Sequence, residues 1–135
     1  MSAKLFTAAW ADEAAKAEVA HSDIVHAGFA DANSFTHVLS LEATDTGEKV
    51  HVQYVSGRVK TITADLFDEF DVWSRFEGTS DTWRQAADGT QPAANLVMGA
   101  KLKLTKGDIS QLVQNSEAFN RLNRAFGDVD TDYSA

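Results

Sequence analysis

The stretch 76–108 reads F-E-G-T-S-D-T-W-R-Q-A-A-D-G-T-Q-P-A-A-N-L-V-M-G-A-K-L-K-L-T-K-G-D. Gly78 closes an apolar run, and Thr79, Ser80 and Asp81 supply oxygens that accept from the unpaired amides of a helix start. That helix carries Trp83 and stops at Gly89. Pro92, whose φ is fixed near the helical value, opens a second short helix over Ala93–Met98, closed by Gly99. Lys101-Leu102-Lys103-Leu104-Thr105 alternates with the period of a strand, and Gly107-Asp108 turns the chain into a last helix. Asp108 and Gln111 have the spacing of a capping box. Ile109, Leu112, Val113, Phe119, Leu122 and Phe126 form an apolar stripe over 109–126, which Asn115-Ser116 interrupts because both side chains compete for backbone hydrogen bonds.

Outward from this stretch the pattern changes twice. Residues 1–31 are rich in Ala, Glu and Lys and read as helical. Leu5, Phe6, Ala9 and Trp10 share one face, and Ser22 caps a second short helix with Ile24, Val25 and Phe29. This segment reads as a helical hairpin over a sheet edge in preference to a mobile lid. From 35 to 77 the period is two: Leu39, Leu41 and Ala43 in one run, Val50, Val52 and Tyr54 in the next, with Thr44-Asp45-Thr46-Gly47 turning between them. Ser56-Gly57 turns into Arg58–Thr63, and a fourth apolar run covers Phe70–Phe76. The expected architecture is a single α+β domain over 1–135, with a four-stranded meander over 35–77, short helices over 80–98, a fifth strand over 101–105 and a helix over 109–126. Its sheet is expected to be five-stranded and antiparallel, with helices packed on one face.

Composition narrows the function. With 20 acidic against 12 basic residues the net charge is −8. Nucleic acid and anionic membranes are held largely by Lys and Arg, so neither is an expected partner. No Cys is present for disulfides or thiolate metal sites. No apolar segment suits a signal peptide or a membrane span, and Tyr133-Ser134-Ala135 matches no retention tag, so a cytoplasmic protein without stable membrane insertion is expected.

Catalytic signatures are missing. There is no nucleophile elbow, P-loop or dinucleotide fingerprint. His21, His26, His37 and His51 lack ligand spacing, and His37 and His51 read as solvated strand residues. Asp128, Asp130 and Asp132 resemble the start of a calcium loop, but Tyr133 stands where Gly is required. The acidic connection with Asp65, Asp68, Glu69 and Asp71 has no base or nucleophile beside it. No metal, cofactor or catalytic residue is expected. The remaining concentration is apolar: Phe67, Phe70, Trp73, Phe76 and Trp83, then Leu96, Val97 and Met98. Such residues fill a core or wall a cavity, and periodicity does not separate the two.

The order Gly78, Trp83, Gly89, Pro92, Gly99, Leu102, Leu104, Gly107, Asp108 resembles the signature region of the sterol carrier protein type 2 family, small stand-alone prokaryotic type. The likeness extends over the whole chain and is most specific over 76–108. Where many members carry an Ala-Asp pair at the start of the fourth strand this chain has Val72-Trp73, and Lys106 adds a residue before Gly-Asp. The resemblance implies a hydrophobic tunnel between sheet and helices that accepts a sterol, fatty acid or acyl-CoA, and no catalytic residue. On this reading Val72, Phe76, Trp83, Leu96, Val97, Met98 and Leu112 line the tunnel, and Trp83 stands nearer the ligand than Trp10 or Trp73. If Phe76 faces the helices, strict alternation puts Ser74 and Val72 beside it and Trp73 opposite. The resemblance favours a lipid carrier. The rivals are a small enzyme using the Asp65–Asp71 carboxylates and an interaction module whose cavity has collapsed and whose Trp73 marks a partner or homodimer surface.

Overall fold

The computed structural model describes residues 2–65 and 67–134. Met1, Leu66 and Ala135, at the ends of the expected domain and inside its acidic connection, lie outside them, as does the Glu69 side chain. The elements run β1 (Ala3–Lys4), α1 (Ala8–Val19), α2 (Ser22–Ala27), β2 (Val38–Ala43), β3 (Lys49–Val55), β4 (Arg58–Thr63), β5 (Val72–Gly78), α3 (Ser80–Asp88), α4 (Ala93–Met98), β6 (Lys103–Lys106), α5 (Ile109–Gln114), α6 (Ser116–Phe126) and β7 (Thr131–Asp132). Strands β2 to β6 form one sheet, in the order β4-β3-β2-β5-β6, and β1 pairs with β7 in a two-stranded ribbon. The α+β class is as expected.

Several local expectations change. The first helix begins at Ala8, capped by Thr7, because Phe6 has φ 63° and the residues before it pair with the C-terminal β7. Leu5 and Phe6 are nevertheless core residues. The fifth strand starts two residues later than expected, and the last helix is two helices meeting at Asn115, where the sequence interrupts the stripe. Asp108 does cap α5, but it accepts from Ser110 N–H and Oγ (2.9 Å each), and the Gln111 side chain turns to a cavity instead of closing the box.

The four-stranded meander is corrected. Strands β2, β3 and β4 are joined by tight turns, the second with both central residues at positive φ (Ser56 51°, Gly57 77°), which suits the twist of a hairpin. Strand β5 does not follow beside β4. In the connection between them Phe67 meets His51 on the outer face (5.2 Å between rings), and β5 runs parallel to β2. The sheet is therefore mixed, not antiparallel. This order places β2, the most thoroughly buried strand, at the centre. His51 is also corrected: it is buried under that connection, with Nδ1 3.0 Å from the Asp65 carbonyl oxygen, not solvated.

Leu39, Leu41 and Ala43 of β2 stand beside Val50 and Val52 of β3 on the inner face, beneath α3 and α6. On β5, one extra residue breaks alternation. Val38 pairs with Val72 but the next residue, Leu39, pairs with Ser74, so Trp73 is a bulge. Ser74 and Phe76 keep the inner face with Leu39 and Leu41. Val72 shares the outer face with Val38, and Trp73 takes the inner side, the reverse of what strict alternation predicts.

Candidate functional site

The core contains two separate aromatic groups. The first is a chain of edge-on contacts, Trp83 to Phe6 (5.2 Å), Phe6 to Trp10 (5.1 Å) and Trp10 to Phe126 (5.0 Å). Both indoles are satisfied there: Trp83 Nε1–H donates to the Glu42 carbonyl and Trp10 Nε1–H to Thr131 Oγ1, each at 2.9 Å. This group is filled core.

The second gathers where β2 and β5 begin. Phe35 meets Phe29 at 4.4 Å, Tyr54 at 5.2 Å and Trp73 at 5.3 Å, and Trp73 stacks on His37. These rings, without His37, wall a cavity whose floor is Leu39 and whose roof is Leu112 of α5 and Phe119 of α6, with Gln111 and Asn115 at its rim. Its volume is about 30 Å³, the space of one water, so it is closed as it stands. Beyond the rim lies a vestibule of about 130 Å³ that shares Phe35, Gln111 and Asn115 with the cavity and adds Asp31, Ser34, His37 and Gln114.

Helix α5 covers this space with little attachment. Leu112 is its one buried residue, while Ile109 and Val113 are exposed. It is flanked by Gly107 at φ 109°, a conformation that residues with a Cβ resist, and by the non-helical Asn115. Asn115 fastens the junction: its Oδ1 accepts from Ala30 N–H (3.1 Å) and its Nδ2 donates to the Gln111 carbonyl (3.0 Å). On the other side of α5 a groove of about 740 Å³ runs past Val97, Leu104 and Ile109.

The seven residues named from sequence are scattered around this arrangement. Leu112 roofs the cavity, and Phe76 backs it by stacking on Phe119 at 4.5 Å. Val97 lines the groove beside α5. Leu96 is core, Met98 is 66% exposed, and Trp83, 2% exposed, belongs to the filled aromatic group. Val72 faces outward into a groove of about 660 Å³ edged by Phe67, Phe70 and Lys106. Sequence reading passed over Phe29, Phe35 and Tyr54. The pattern Phe35-His37-Leu39 does continue the period of β2, and following it two residues before the strand would have reached Phe35.

Among the described residues, charged groups are peripheral with one exception. Asp65, Asp68 and Asp71 are exposed, and Asp68 accepts from Phe70 N–H as a turn former (3.0 Å). No group of three metal-ligating side chains occurs among the described residues. Glu18 on α1 is 4% exposed, and its Oε1 has no partner among the described residues. Burial pushes its carboxyl up to about 7, against the opposite pull of His21 and Arg58.

Comparison with solved structures identifies the fold. The chain superposes on a crystal structure of sterol carrier protein 2 with a TM-score of 0.73 at 20% identity, covering 93% of this chain and 99% of that one. A solution structure of a conserved hypothetical protein from Thermus thermophilus, described as a possible sterol carrier protein, gives 0.71 at 19% identity, covering 99% and 96%. The UbiJ-SCP2 ubiquinone synthesis protein gives 0.51 at 15%, covering 82% and 97%. The chain thus has the sterol carrier protein 2 fold. No protein-family profile matches the sequence, and no curated protein does. Among the described residues no helix is long and apolar enough to cross a membrane.

Proposed function

We propose that this chain binds an apolar, lipid-like molecule beneath α5 and carries or presents it, without catalysing a reaction. One observation carries the reading: a short helix held by a single buried side chain, Leu112, roofs a cavity walled by aromatic and aliphatic groups. Ligand sites of this kind run to roughly 300–1,000 Å³, so the cavity has to open. Displacing α5 about Gly107 and Asn115 costs the burial of Leu112, on the order of 2 kcal/mol. A ligand tail under α5 recovers this quickly, at about 0.8 kcal/mol per methylene buried. The opened space would join the cavity to the groove at Val97 and Ile109. The fold shared with sterol carrier protein 2 supports the same reading, with work in the cytoplasm as its simplest setting.

Native mass spectrometry of the purified chain tests it. A lipid that travels with the folded protein and is released unaltered on denaturation is the expected result. A chemically altered product would favour an enzyme, and a bare dimer that takes up no added lipid would favour an interaction module. Either outcome contradicts the carrier.

A further inference from the structure

Building on the lipid-binding reading above, we propose that the site selects lipids with an uncharged hydrogen-bonding head, an alcohol, ester or quinone carbonyl, over carboxylates and acyl-CoA. The vestibule adjoins the apolar cavity and shares Phe35, Gln111 and Asn115 with it, so once α5 is displaced a tail beneath it leaves its head among Gln111, Gln114, Asn115, Ser34, His37 and Asp31. Neither space is lined by a Lys or Arg among the described residues, and Lys103 edges only the groove on the other side of α5, away from the vestibule. A carboxylate brought there would lose water without gaining a cation, and the phosphates of CoA more so.

Among the described residues the one carboxyl side chain in the vestibule, Asp31, has the wrong sign to attract an anion. Asp31 is held in place by Ser34, whose Oγ donates to it at 2.8 Å. His37 compensates little, because burial lowers its pKa and disfavours the charged ring. Two basic residues near this end are engaged elsewhere, Arg58 with Asp23 (2.9 Å), and Arg121 with Glu117 (3.7 Å) and the Ile24 carbonyl (2.9 Å), while Lys106 lines the outer groove and neither the cavity nor the vestibule. The net charge of −8 adds long-range repulsion of anions.

A neutral head finds partners. Asn115 is occupied by its two backbone bonds, but Gln111 borders both spaces, and its side-chain amide has no hydrogen-bond partner among the described residues. An amide offers both a donor and an acceptor, which suits a hydroxyl or a carbonyl equally.

The test is competition of oleyl alcohol, methyl oleate, oleate and oleoyl-CoA against bound dehydroergosterol, a fluorescent neutral sterol, at pH 8. The alcohol and the ester should displace it at concentrations about tenfold or more below those needed by oleate or oleoyl-CoA, a difference of about 1.4 kcal/mol. Gln111→Lys should improve oleate and close the gap. Asp31→Asn, which adds no bulk, should narrow it even if the first variant folds poorly. Oleate or oleoyl-CoA competing as well as the alcohol overturns the head-group proposal while leaving lipid binding intact. No binding of dehydroergosterol or of any of the four overturns the lipid-binding reading and this proposal with it.

Discussion

The Trp73 indole lies on the His37 imidazole, ring centroids 4.3 Å apart and planes 14° from parallel, because a one-residue bulge turns Trp73 to the inner side of the sheet. That bulge decides which tryptophan borders the cavity. The other aromatic group, built around Trp83, does not border the cavity.

Leu112→Ala should lower the stability measured by urea unfolding by about 2 kcal/mol, through lost burial and the cavity it leaves. Affinity for dehydroergosterol should stay equal or rise, since the ligand no longer displaces Leu112. Lost binding with full stability would show that Leu112 holds the ligand instead of closing the empty cavity.

Trp83→Phe should behave in the opposite way. It removes the Nε1–H bond to the Glu42 carbonyl inside a packed region, at a cost of about 1–3 kcal/mol. Ligand affinity should not change, and a calorimetric titration showing a loss of binding at unchanged stability would contradict its placement in the core.

Ser40→Ala should be close to neutral. The Ser40 hydroxyl is fully buried on the outer face and its Oγ has no hydrogen-bond partner among the described residues, so removing it relieves a desolvated group. A drop of several degrees in thermal midpoint would mean that this hydroxyl makes an interaction in solution.

Glu18 predicts a pH dependence. Its folded pKa of about 7 stands above the ordinary 4.5, so between these values the folded chain keeps a proton that the unfolded chain has lost. Stability contributed by this residue therefore falls as pH rises through that window, and the deficit is complete above about 7. Glu18→Gln should raise the thermal midpoint relative to wild type at pH 8 and leave it nearly unchanged near pH 4.5. Equal midpoint differences at the two pH values would contradict the assignment.

Much of the fold was legible where local chemistry decides it. Thr79, Gly89, Pro92 and Asp108 mark helix ends because caps depend on neighbours in sequence, and Asn115 breaks the last helix for the same reason. The partner of β5 was not legible, because strand pairing across the sheet depends on a connection whose course no local period encodes. The site was read less well. A bulge inverts the facing of Val72 and Trp73 without altering composition, and two aromatic groups that look alike in sequence differ only in whether their rings fill the space between them.

The central claim, a ligand beneath α5 against Trp73, is tested most directly by energy transfer from tryptophan to bound dehydroergosterol in the three variants Trp10→Phe, Trp73→Phe and Trp83→Phe. Affinity is followed separately through the sterol's own emission. Trp73→Phe should remove most of the transfer while the sterol remains bound, and the other two should leave most of it. Equal losses in all three, or the largest loss in Trp83→Phe, would contradict the account.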